Sequence, residues 1–124
     1  MLRAIILVGL GGGIGSIFRY LTAIFVNKYF QTLFPWATFT ANIIGCLIIG
    51  FLLGLFDRYS LTNPDLKYLL ITGFCGGYTT FSAFTSENYN LFQSENTLVA
   101  FLYIAASVLV GLFAVWLGLS LSKL

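Results

Sequence analysis

Four apolar stretches divide this chain, at about Ala4–Val26, Trp36–Phe56, Tyr68–Tyr89 and Leu98–Leu121. Each meets the roughly 20 residues that a helix needs to cross a bilayer, so the pattern predicts four transmembrane helices. The connections are short, about Asn27–Pro35, Asp57–Lys67 and Asn90–Thr97. They hold both prolines, Pro35 and Pro64, where a missing amide is harmless. No linker or low-complexity tract intervenes, so residues 1–124 are expected to form a single domain. The run Ala4–Leu10 has the length of a leader's core. Helix-compatible sequence continues to Val26, however, so it is taken as part of the first span.

The third stretch is the least apolar. Its centre, Gly73 to Phe84, carries three glycines and a run of hydroxyls. Such a segment is a poor continuous helix and a poor match to lipid, so this helix is expected to break near its middle. Backbone that breaks at membrane depth survives only where it is buried in protein or lines a wet cavity. Broken helices also free carbonyls and amides to face an ion, which suggests transport.

Composition agrees. The chain is 59% hydrophobic and 8% charged, against about 25% charged for a soluble domain. It is an integral membrane protein by this measure, all-α given the four expected spans, and its few basic residues form no patch for nucleic acid. There is no histidine, Arg19 is the only charge within the four apolar cores, and Glu87 sits near the end of one. Acid–base catalysis at depth needs titratable groups there, so an enzyme is not expected. Cys46 and Cys75 fall within spans and are expected to pack as small apolar groups.

With four spans both termini lie on one side. Arg3, Arg58, Lys67 and Lys123 fall on that side, while Lys28 falls on the other with Arg19 within reach of it. This bias is weak enough for insertion in both orientations. One copy of four helices cannot enclose a pore and would leave the polar face of the third helix against lipid. An antiparallel pair with its two-fold axis in the membrane plane solves both problems.

Several residues have both a plain and a functional role open to them. Gly9 and Gly13, and Gly11 and Gly15, have the spacing of close helix packing. Arg19 either snorkels to the interface or draws anions into a vestibule. Thr38 and Asn42 lie four apart on one helix face, where an amide either bonds a neighbouring helix or is turned toward an anion. Phe81 and Phe84 also share a face and flank Ser82. Aromatics at that spacing usually pack, but their electropositive ring edges suit a small anion. Tyr103 and Ser107, four apart in the last span, could continue a hydroxyl-lined path.

Taken together these stretches resemble the CrcB/Fluc family of microbial fluoride channels. The likeness rests on Gly11-Gly12, Gly15-Ser16 and Arg19-Tyr20 in the first span. In the second it rests on Thr38, Asn42, Gly45 and Gly50, and in the third on the run Gly73 to Phe84. It covers essentially the whole chain, and the third motif is the most specific. The resemblance implies an antiparallel, dual-topology homodimer in the microbial cell membrane, with two fluoride pores. A paralogous partner chain is the alternative to self-pairing.

It also implies that Asn42, Phe81, Phe84, Tyr103, Ser107, Thr38 and Ser82 line the fluoride path. Backbone carbonyls of Gly76 and Thr79 would hold a structural sodium ion at the dimer interface. Three positions depart from the family pattern: Ala37 replaces a glycine, Ser16 an alanine, and Ala83 a threonine. The last removes a hydroxyl beside the path. The expected function is passive export of fluoride from the cytoplasm, which reduces its toxicity. One rival is a proton-coupled small multidrug transporter, but that class uses a glutamate in its first span and no acidic residue precedes Asp57 here. Another is a non-transporting membrane assembly subunit, which accounts for the glycines but not for the hydroxyl-rich break with its paired phenylalanines.

Overall fold

A computed structural model describes residues 1–124, and every regular element in it is helical. Helix α1 spans Leu2–Tyr29, α2 Trp36–Arg58 and α6 Thr97–Leu121; these three are long and apolar enough to cross a membrane. The third apolar stretch is assembled from shorter pieces. A single turn α3 (Pro64–Leu66) leads into a π-helical run at Lys67–Cys75, then α4 (Gly76–Tyr78) and α5 (Phe81–Gln93). The π-helical widening is visible where the Gly76 N–H reaches the Ile71 carbonyl, five residues back.

Glycines decide which helices pair. A Cβ on Gly15 would overlap the Phe74 carbonyl and sit 2.8 Å from the Tyr78 nitrogen. On Gly77 it would sit 2.8 Å from the Gly12 Cα. So α1 lies backbone to backbone against the π-helical run and α4, a separation only glycine permits. The same device joins α2 to α6. A Cβ on Gly50 would lie 3.0 Å from Val115 backbone, and one on Gly118 would lie 2.6 Å from the Phe51 nitrogen. By contrast Gly9 and Gly13 have no neighbour within 4 Å of an added Cβ.

Little of the chain is buried. Only 19 of 124 residues are, while Leu10, Phe18, Phe25, Leu109 and Phe113 all point outward. A soluble monomer does not expose apolar surface on this scale, so lipid or another chain must cover it. At the end holding both termini, Arg3 pairs with Asp65 at 2.6 Å. There too Arg58 Nη1 donates to the Ser122 carbonyl at 2.9 Å. The opposite end carries the α1–α2 and α5–α6 connections.

Candidate functional site

Helical geometry stops at Tyr78 and resumes at Phe81. Between them Thr79 (ψ 159°) and Thr80 (φ −150°, ψ 122°) are extended. The cause is a brace from α2. Asn42 Oδ1 accepts from the Thr80 N–H at 2.8 Å, and Asn42 Nδ2 donates to the Thr80 carbonyl at 3.1 Å. In a continuous α-helix that N–H would bond the Gly76 carbonyl. Gly76 and Gly77 themselves are helical, so the chain opens two residues beyond the glycines. Thr80 then caps α5, its Oγ1 accepting from the Ala83 N–H at 3.2 Å. Carbonyls at the end of α4 and amides at the start of α5 therefore meet at one point. The first favour a cation and the second an anion.

On one face of this opening lies a groove of about 480 Å³, walled by Asn42, Gly76, Thr79, Phe81, Phe84 and Ser107. Phe81 is 77% exposed there, and its ring centroid lies 5.9 Å from that of Phe84. The Ser107 hydroxyl is buried with no hydrogen-bond partner. Gly76 is exposed, and an added Cβ would have no neighbour within 4 Å.

A second depression, of about 650 Å³, is lined by Ser16, Arg19, Tyr20, Thr38, Ser82 and Ser86, with Ala83 also on its wall. Thr80 borders both cavities. Arg19 faces this second one without a carboxylate, since the chain's ion pair is Arg3–Asp65.

Thr38 also reaches Glu87. Its Oγ1 donates to Glu87 Oε1, and the Tyr103 hydroxyl donates to Glu87 Oε2 at 3.2 Å. These bonds tie α2, α5 and α6 together beside a third depression, of about 430 Å³, that opens at the α1–α2 connection. Tyr103 does not line the groove. It is fully buried behind Phe84, ring centroids 5.0 Å apart and planes at 70°.

The structure therefore gathers Asn42, Phe81, Phe84, Ser107, Gly76 and Thr79 on one groove. It puts Thr38, Ser82 and Arg19 on the second depression and Tyr103 behind Phe84. One participant was not singled out from the sequence, and a second was noted there without a role. Thr80 is the partner of Asn42; its one sequence signal was a threonine just ahead of a helical run. Glu87 is the acceptor for two hydroxyls; its signal was being the only carboxylate in the apolar stretches. No cluster of His, Cys, Asp or Glu could hold a metal. What the site offers is amide and hydroxyl donors, ring edges, and neutral carbonyl oxygens.

Comparison with known proteins follows the same lines. Residues 6–119 match the family model described as CrcB-like protein, Camphor Resistance (CrcB). A relative from Flavobacterium psychrophilum named fluoride-specific ion channel FluC is 54% identical over 122 residues, 98% of both chains. Relatives with the same name from Azobacteroides pseudotrichonymphae and Phocaeicola vulgatus are 42% and 41% identical. The first covers 99% of this chain and 98% of its own, the second 98% and 100%.

Proposed function

Because the chain belongs to the CrcB-like family, we propose a route by which it moves fluoride. It is a multi-pass bacterial membrane protein and a fluoride-specific channel, not an enzyme. Neither a proton-coupled multidrug transporter nor a silent assembly subunit is favoured by these relatives.

Fluoride is small and strongly hydrated, so dehydration is the main barrier. The path must return that cost through donors and ring edges, yet release the ion at the far side. In our account fluoride passes along the groove beside the opening, past Asn42, Phe81, Phe84 and Ser107. It enters from the depression holding Arg19, Ser82 and Thr38. The single observation that carries this account is the Asn42–Thr80 brace. It opens the helix beside two phenylalanine edges and exposes the amide end of α5. Buried Tyr103 contributes by backing Phe84. A negative-inside potential drives the anion outward, by about 2.3 kcal/mol per charge per 100 mV, so no coupled energy source is needed.

The groove in one copy is open, and its polar backbone would face lipid. A second copy covers it. The ambivalent charge bias favours an antiparallel homodimer with two pores, and a paralogous chain could take the partner's place. Gly76 and Thr79 would then face their counterparts. Neutral carbonyl oxygens suit a hard monovalent cation, and the Gly76 carbonyl has lost its helical donor to Asn42. One structural sodium ion per pair would relieve the repulsion among these dipoles. Expression in a bacterium stripped of its own fluoride exporter tests the account. Growth on fluoride should return with the wild-type chain; failure to grow despite membrane insertion would count against it.

A further inference from the structure

The row of aromatic rings does not end at the groove. Tyr103, behind Phe84, also meets Phe34 edge-on, centroids 5.2 Å apart and planes at 67°. Phe34 belongs to the irregular α1–α2 connection, yet it is firmly set. Its carbonyl accepts from the Trp36 N–H at 2.8 Å and from Thr32 Oγ1 at 3.4 Å. Trp36 Nε1 in turn donates to Thr32 Oγ1 at 3.1 Å. The Phe34 ring also packs on Trp36 at 4.5 Å and on Phe39 at 5.3 Å. Tyr103 is thus gripped between a ring on α5 and a ring from a connection.

A tyrosine hydroxyl goes where its ring goes, and this one ends on Glu87. Phe34 also lines the third depression, together with Thr38 and Glu87. It stands where the carboxylate and its two hydroxyl donors open toward the molecule's end.

We propose that Phe34 is a positioning residue for the ion path: it fixes the Tyr103 ring from behind, and through it the Tyr103 hydroxyl on Glu87 and the orientation of Phe84. This rests on the fluoride path proposed above. A support ring of this kind acts by locking a rotamer whose own partner does the work. Losing one edge-to-face contact corresponds to about a fivefold effect.

The test uses full-length protein labelled with fluorotyrosine, in which the Tyr103 signal is the one missing from Tyr103→Phe. Phe34→Leu should shift or broaden that signal and lower fluoride flux in liposomes about fivefold, and Phe34→Tyr should restore both. In a Tyr103→Phe background, adding Phe34→Leu should cost less than it does in the wild type, because the hydroxyl on Glu87 is gone and only the ring behind Phe84 is left to position. An unchanged Tyr103 signal and flux in Phe34→Leu would overturn the proposal. So would an equal loss in both backgrounds. If the leucine variant does not assemble, Phe34→Met replaces it. Failure of both also overturns the proposal, since the ring would then serve the fold alone. A wild-type protein that passes no fluoride would instead overturn the fluoride path, while the Tyr103 signal would still report the grip.

Discussion

Replacing Asn42 by leucine strikes the bond pair that opens the third span. Leucine keeps the branching of asparagine at Cγ and its four side-chain heavy atoms, so its overall shape is similar although its methyls take more room. Both bonds to Thr80 are lost, one of 2.8 Å to its N–H and one of 3.1 Å to its carbonyl. An unsatisfied buried backbone group costs about 1–3 kcal/mol. Thr80 is only half buried, and its N–H can return to the Gly76 carbonyl, so a net loss of about 2 kcal/mol is reasonable for the opened geometry. That corresponds to about a thirtyfold fall in its population. Removal of the amide donor from the path lowers conduction further. The assay is fluoride efflux from liposomes, read with a fluoride electrode, on protein whose assembly has been checked by gel filtration. A correctly assembled leucine variant conducting within about twofold of wild type would refute the brace, since the estimate above allows no such result.

Phe81→Ile and Phe84→Ile should each cut flux by more than their volume change suggests, because an aliphatic group lacks the polarised edge. Normal conduction in both would make the rings packing alone. Gly15→Ala should destabilise the protein by about 1–3 kcal/mol in a denaturation series, as its Cβ meets Phe74 and Tyr78 backbone that cannot move aside. Gly13→Ala, with nothing within 4 Å of its Cβ, should leave stability unchanged, and equal effects would contradict the packing described. Reporter domains fused after Leu124 should be active on both sides of the membrane. Activity on one side only would point to a single orientation or to a partner chain inserted the other way.

The apolar stretches were plain in the sequence because lipid demands long uninterrupted runs, and α1, α2 and α6 follow three of them closely. The third was harder to place. Its glycines drew attention to Gly76 and Gly77, but both are helical, and Gly77 serves to let α1 approach. The extended residues are Thr79 and Thr80, held by an asparagine 38 residues away in the chain. No local propensity reports a partner at that distance. The same holds for Glu87, whose two hydroxyl donors come from α2 and α6. The glycine spacing in α1 was legible as packing, but which pair packs was not. Gly11 and Gly15 face the π-helical run while Gly9 and Gly13 are open, a matter of helix rotation fixed by the neighbours.

Fluoride efflux from liposomes containing only this purified chain tests the central claim most directly. The vesicles hold fluoride and chloride under a fixed potassium gradient, and valinomycin supplies the balancing charge. Fluoride should leave at once with no proton gradient or nucleotide, should stop without valinomycin, and should leave chloride behind. Fluoride retained by well-assembled protein, or efflux that requires a proton gradient, would contradict a passive fluoride channel.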